Sequence, residues 1–303
     1  MKYPRTSADA TVVLIVSVAL VTSLATAAAA RAVTLTDDAG REVRVPDRSE
    51  RIVSLAPSIT EILFALGAGS RVVGVTQYSN YPPEATRLPK VGSYVNLSLE
   101  KILALRPDLV IGIRDGNPKA VIDRLAELGV PCYIVDPTSL DGVITTVRNI
   151  GRAVGREQAA EKIAGQMASR IREVERLVAG LARPRVFYQI GVEPIVSAGQ
   201  GTFPNILIET AGGKNVAADM AAYPQLNVEQ VLVARPEIII VTSMTREYDF
   251  ERVRGFWGRW PDLPAVAAER LYVVDSDLMD RPSPRIVEGL EILAKLFHPE
   301  RFK

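Results

Sequence analysis

Tyr94–Ile111 reads YVNLSLEKILALRPDLVI, and Tyr223–Ile240 repeats it without a gap as YPQLNVEQVLVARPEIII. Tyr94 aligns with Tyr223, Ser98 with Asn227, Glu100 with Glu229 and Leu103 with Leu232. Arg106-Pro107-Asp108 aligns with Arg235-Pro236-Glu237, and a branched apolar triplet follows each. The copies lie about 129 residues apart, far beyond the roughly 20–50 residues of a solenoid unit. That distance points to two lobes built on one plan. A fainter echo precedes it: ILFALGAGSRV (Ile62–Val72) resembles ILIETAGGKNV (Ile206–Val216).

Each copy has a physical reading. Ser98 or Asn227 can cap a helix, because its side-chain oxygen accepts a free N–H of the first turn. Glu100 or Glu229 follows two places later, where the helix dipole favours negative charge. Leu99, Ile102 and Leu103, and Val228, Val231 and Leu232, recur at helical spacing and face a core. The proline stops the helix, and the apolar triplet reads as a buried strand.

The rest of the chain continues that alternation. Val33–Val45 reads as a hairpin turned at Asp38-Ala39-Gly40. Helices are expected at Ser58–Leu66, Asn117–Leu128, Leu140–Val154, Pro204–Thr210 and Pro284–Phe297, and strands at Ile52–Ser54, Val72–Val75, Cys132–Val135, Arg185–Gln189 and Leu271–Val274. Strands alternating with helices imply parallel sheets covered on both faces. Glu157–Leu181 differs: it lacks proline, is rich in Ala, Glu, Arg and Gln, and carries Ile163, Met167, Ile171, Val174 and Val178 at helical spacing. At about 1.5 Å per residue it spans on the order of 35 Å and can cross between lobes. The expected fold is α/β, two Rossmann-like lobes with parallel sheets joined by one long helix. The expected divisions are a leader at 1–32, a lobe at 33–156, the connecting helix at 157–182 and a second lobe at 183–303.

The leader has the form of an export signal. Lys2 and Arg5 give a positive start, Thr11–Leu24 an apolar centre, and Ala28-Ala29-Ala30 or Ala30-Arg31-Ala32 a small-residue cleavage site. The apolar run is short for a membrane span of about 20 residues. No cysteine lies near it, so export without a lipid anchor is expected. The one cysteine, Cys132, sits in an expected strand and reads as a buried, inert thiol.

Several function classes drop out. A formal charge of +1 gives no basic footprint for nucleic acid. His298 is the one histidine, close to the C-terminus, which removes histidine metal clusters and a Ser–His–Asp triad. There is no Walker A run and no G-x-S-x-G elbow. What remains lies in the loops after the strands, where open parallel sheets bind ligands. Those loops carry Ala56-Pro57-Ser58, Gln77–Pro83, Arg114–Asn117, Gly191–Gly201 and Asp275–Pro284. Tyr94 and Tyr223 suit a cleft wall, with an apolar face and a polar tip, or half-buried packing. Glu100 and Glu229 read either as helix-end charge or as paired negative posts for a two-fold partner.

These stretches also carry a family resemblance. RIVSLAPSITEILFALGAGSRVVGVTQYSNYPPEA (Arg51–Ala85), LEKILALRPDLVIG (Leu99–Gly112), YPQLNVEQVLVARP (Tyr223–Pro236) and SPRI (Ser283–Ile286) after a DSD loop resemble the periplasmic binding proteins of iron-siderophore and vitamin B12 importers. The resemblance covers nearly the whole chain after the leader. It implies a monomer in the periplasm that performs no catalysis and holds no resident cofactor. It implies a small-molecule ligand in the inter-lobe cleft, cobalamin or a related corrinoid, with haem or an iron siderophore as the alternative. It implies delivery to an ABC importer, a permease dimer with its ATPase. By motif position it places Ala56, Tyr78, Tyr94, Arg114, Tyr223, Asp277 and Arg281 at the ligand and Glu100 and Glu229 at the permease. Tyr94, Ile113 and Tyr223 stand where corrinoid-binding members carry tryptophan, and Val196 where they carry phenylalanine, so this cleft has less aromatic area. A chelatase-like enzyme on a similar scaffold is the competing class, disfavoured by the missing central histidine.

Overall fold

The computed structural model describes residues 32–192, 194–243 and 250–302; the expected leader lies outside them except for Ala32. Ala32–Thr36 (β1) pairs antiparallel with Glu42–Pro46 (β2), the expected hairpin. Then come Ile52–Ser54 (β3), Pro57–Ala65 (α1), Val72–Gly74 (β4), Leu99–Ala104 (α2), Leu109–Ile113 (β5), Lys119–Glu127 (α3), Cys132–Val135 (β6) and Leu140–Ala153 (α4). Glu157–Val178 (α5) follows as one unbroken helix. Beyond it lie Arg185–Gln189 (β7), Gly191–Val192 (β8), Ile195–Val196 (β9), Phe203–Thr210 (α6), Lys214–Asn215 (β10), Gln225–Leu226 (β11), Val228–Ala234 (α7) and Ile238–Ser243 (β12). The chain closes with Phe250–Trp257 (α8), Pro264–Ala267 (α9), Leu271–Asp275 (β13), Ser276–Met279 (α10) and Ile286–Phe297 (α11).

The two halves share one topology. The first parallel sheet runs β4-β3-β5-β6 and the second β10-β7-β12-β13. Each is ordered second, first, third, fourth along the chain. Strand order therefore reverses between β3 and β5, and again between β7 and β12.

Burial explains why short apolar runs suffice as strands. Ile52, Leu109 and Ile111 face one apolar cluster, while Val53 and Val110 face another. In the second sheet Val186, Tyr188, Ile238 and Ile240 face the shared cluster, and Phe187, Ile239 and Val241 a third. Alternate residues thus bury opposite faces. Helices α1, α4, α6 and α11 supply the shared cluster, α2 and α3 the outer face of the first sheet, and α7, α8 and α9 that of the second.

Helix α5 joins the halves through that shared core. Its stripe of Ala160, Ala164, Met167, Ile171 and Val174 is buried. Gly151 of α4 lets it approach closely, since a Cβ there would fall 2.3 Å from the Ala160 Cβ. On the other half Arg170 holds Glu291 of α11 through two hydrogen bonds of 2.7 and 2.6 Å.

The repeat is reproduced in atomic detail. Ser98 accepts from the Lys101 N–H and Asn227 from the Gln230 N–H, and Gln230 reaches back to the Asn227 N–H. Arg106 and Arg235 both take the left-handed turn, each at φ 46°. Arg51 donates to the Leu105 and Arg106 carbonyls, and Arg185 to that of Arg235. Asp108 accepts from the Arg51 N–H and Glu237 from the Arg185 N–H.

Some boundaries move. Helix α5 ends at Val178 rather than Leu181, because Ala179 turns extended and Gly180 has φ 71°. Helix α3 begins at Lys119, because the Asn117 side chain bonds elsewhere. Helix α11 begins at Ile286, because Ser283 is drawn aside by Glu61. A three-stranded antiparallel sheet, β11-β9-β8, and the short helices α8 to α10 were not expected.

Candidate functional site

The carboxyl ends of both sheets carry the expected residues. Ala56 follows β3 and is 2% exposed, starting α1. The loop after β4 bears Tyr78, the loop after β5 bears Arg114, and the segment after β13 bears Asp277 and Arg281. Tyr94 and Tyr223 each lie four residues before the cap of α2 or α7.

The first lobe holds its loops rigidly. The Asn117 Oδ1 accepts from the Ile113 N–H at 2.8 Å, and its Nδ2 donates to the carbonyls of Leu55 and Tyr94, both at 2.9 Å. One buried amide therefore ties the β3 loop, the β5 loop and the tyrosine segment together. A chain of buried hydroxyls does the same for the β4 loop. Ser54 and Thr60 lie 2.8 Å apart, Thr60 donates to Ser79 at 3.0 Å, and Ser79 meets Thr76 at 3.0 Å.

Tyr94 and Tyr223, one from each lobe, interact electrostatically. Tyr94 is half-buried and Tyr223 is 60% exposed. Burial pushes the Tyr94 phenol up, with Asp115 and Tyr223 adding to it. Burial also pushes Tyr223 up, helped by Asp280 and Asp115. The two rings, one per lobe, thus lie in electrostatic range of each other and of two carboxylates. Arg114 points outward and pairs with Asp136 at 3.3 Å.

Asp277 and Arg281, which motif position places at the ligand, are also bonded to each other and to the first lobe. The Arg281 Nη1 donates to Glu61 at 3.0 Å and to the Asn80 side chain at 2.6 Å. Its Nη2 donates to the Tyr78 carbonyl at 3.2 Å and pairs with Asp277 at 2.6 Å. Asn80 in turn donates to Asp277 at 3.0 Å. These groups stitch one lobe to the other. At their centre sits Glu61, which the sequence reading passed over. Its carboxylate accepts from Ser283 Oγ at 2.6 Å and lies 3.4 Å from Arg285. Arg285 stacks over Tyr81, 3.9 Å from the ring centre.

Cys132 and His298 are enclosed in the fold. Cys132 is buried, its thiol pushed up to about 12 chiefly by burial. His298 is buried against the Gly212 carbonyl. A groove between α5 and α11 is walled by the paired Arg170 and Glu291. Glu100 and Glu229 are exposed. Among the described residues no helix is long and apolar enough to cross a membrane.

A family model described as periplasmic binding protein matches residues 52–278. The chain belongs to the periplasmic binding protein family. The vitamin B12-binding protein of Vibrio cholerae is 34% identical over 248 residues, covering 81% of this chain and 88% of that one. A crystal structure of the Vibrio cholerae periplasmic vitamin B12-binding protein superimposes with a TM-score of 0.75 at 31% identity, over 85% of this chain and 100% of that one. The periplasmic heme-binding protein RhuT of Roseiflexus does so with a TM-score of 0.74 at 33% identity, over 84% and 99%. The ABC transporter substrate-binding lipoprotein YvrC of Bacillus subtilis is 33% identical over 278 residues, 89% of this chain and 87% of its own. This periplasmic binding protein is thus the substrate-binding component of an ABC transporter and not an enzyme. It works outside the cytoplasm with a permease and an ATPase, and its ligand is a small molecule.

Proposed function

We propose that this periplasmic binding protein carries cobalamin or a related corrinoid. The observation that supports it is the placing of one tyrosine from each lobe, Tyr94 and Tyr223, at equivalent positions of the repeat and within electrostatic range of each other. Such rings suit a flat macrocycle. Asp115 and Asp280 act electrostatically on these rings, and a carboxylate accepts hydrogen bonds when ionised. Arg281, a cation of this region, already has both terminal nitrogens engaged within the protein. Such acceptors complement the amide-bearing rim of a corrinoid better than the propionates of haem.

In this reading Ala56 underlies the ring, Tyr78 and Arg114 stand at the rim, and Asp277 and Arg281 brace the wall. No resident cofactor takes part. Glu100 and Glu229 dock to arginines of the permease dimer. The protein acts as a monomer in the periplasm after loss of its leader.

The test is retention of colour. Protein is incubated separately with cyanocobalamin, dicyanocobinamide, haemin and ferric siderophores, passed through gel filtration, and its absorption spectrum recorded. Corrinoid bands co-eluting with protein are expected. Retention of haem or siderophore and not corrinoid overturns the reading in favour of the family alternative.

A further inference from the structure

Glu61 sits on α1 among Ile59, Ile62 and Leu63, which build the first lobe's core, and is 3% exposed. A carboxylate there has no local reason to exist. Its partners come from residues 281–285, beyond the second sheet. Oε2 takes the Ser283 hydroxyl, and Oε1 takes Arg281 and, at longer range, Arg285. Burial pushes Glu61 up, while Ser283, Arg281 and Arg285 pull it back.

A buried carboxylate is tolerated only while its donors stay in place. Moving the lobes apart here would strip Glu61 of Ser283 and both arginines together. The contact therefore resists opening. It also has a downstream effect on the cleft. The same Arg281 that Glu61 holds donates to Asn80 and to the Tyr78 carbonyl. Tyr78 is 59% exposed, and the next residue, Ser79, is held through Thr60 by the hydroxyl chain. So the carboxylate of Glu61 sets Arg281, and Arg281 sets the Tyr78–Asn80 rim.

We propose that Glu61 is a positioning residue for ligand capture, the anchor of an inter-lobe latch that sets the cleft width and the Tyr78–Asn80 rim without touching the ligand. Helix α5 is the covalent tie between lobes, and the latch is a second, non-covalent one. Two ties at different places restrict rotation about either. The ligand part of this inference rests on the corrinoid reading; the latch itself does not.

The test reads lobe separation and ligand release together. Spin labels are placed at Val95→Cys and Val233→Cys, exposed sites on opposite lobes, and their distance distribution is measured in full-length protein. One narrow distribution is expected in the parent and a broadened one in Glu61→Ala. Cyanocobalamin dissociation, followed by stopped flow, should quicken about tenfold in Glu61→Ala, the size expected when pre-organisation is lost and affinity shifts through the off-rate. Glu61→Gln, which keeps the shape and a Ser283 hydrogen bond, should restore most of both. Should Glu61→Ala fail to fold, Arg281→Lys takes its place, since it keeps charge but loses the fork that spans four partners. A folded variant with the parent's distance distribution overturns the latch. A broadened distribution with unchanged release overturns its role in capture. Parent protein that retains no corrinoid overturns the ligand reading alone, and the distance measurement still decides the latch.

Discussion

The ring of Tyr94 rests against the bare Cα of Gly116: a Cβ at Gly116 would fall 2.0 Å from the Tyr94 Cζ and 2.1 Å from its hydroxyl. Gly116 also has φ 100°, a conformation side chains seldom adopt. The cleft wall therefore depends on a missing side chain in the adjacent loop.

Gly116→Ala should act as a Tyr94 variant without touching Tyr94. It displaces the ring and strains the loop that Asn117 ties down. Tyr94→Ala and Tyr223→Ala should each weaken corrinoid binding by roughly 1–3 kcal/mol, the worth of a buried aromatic face. Gly116→Ala should fall in the same range as Tyr94→Ala, and the two together should not add, because they remove one contact. Calorimetry on the four proteins checks this. Full additivity would separate Gly116 from the tyrosine.

Stability should depend on pH through Asp280. Asp280 is an exposed residue, yet the protein packed around its carboxyl pushes it up to about 7, with Asp277 adding and Arg281 opposing. An unfolded aspartate titrates near about 3.9. Between about pH 4 and 7 the folded protein holds a proton that the unfolded chain has released, so stability falls as pH rises through that window. Asp280→Asn removes the slope. Its melting temperature should match the parent near pH 4 and exceed it near pH 8, as read by calorimetric scans. An equal difference at both pH values would exclude titration of this group.

Most of the fold was legible because its signals are local or periodic. Ser98 and Asn227 announce α2 and α7 by capping chemistry, and the capping bonds are formed. The triplets Leu109–Ile111 and Ile238–Ile240 announce central strands because both sheet faces are enclosed. The two-residue strands β8, β9 and β11 are too short to show any period, so nothing marked them. Asn117 read as a helix start because asparagine favours caps, but its amide is used to join three loops instead. Glu61 was the largest omission. Within PSITEILFA it looks like an ordinary helical charge, and its meaning comes from Arg281 and Ser283, more than two hundred residues away. Asp277 and Arg281 were located by motif position, but their engagement with Asn80 and Glu61 is likewise a long-range fact.

Ligand should close the lobes only slightly. Helix α5 packs against both α4 and α11 through one continuous apolar core. Wide hinge motion needs a few loop residues that absorb large backbone changes, and a helix buried on one stripe offers none. Crystal structures of free and corrinoid-loaded protein should superimpose with a small lobe rotation. A rigid-body rotation of tens of degrees would show that α5 is not the constraint.

Glu100 and Glu229 occupy equivalent first-turn positions of α2 and α7, helices that cover the outer faces of their sheets. Both side chains are exposed, and neither is among the residues gathered at the cleft. Losing either should leave ligand affinity unchanged. It should weaken association with the permease, because a charge pair desolvated at an interface can be worth several kcal/mol where an exposed one is worth under about 1. A two-fold partner would need one such charge from each lobe, so the double variant should lose more than either single one. Glu100→Arg with Glu229→Arg should lose more than the alanine pair, since it would set like charges against the permease arginines proposed as their partners. Transporter binding in reconstituted membranes at two salt concentrations, alongside ligand calorimetry, measures both effects. A double-arginine variant that binds the transporter as the parent does would reduce the pair to helix-end charge, worth about 0.3–1 kcal/mol to each helix.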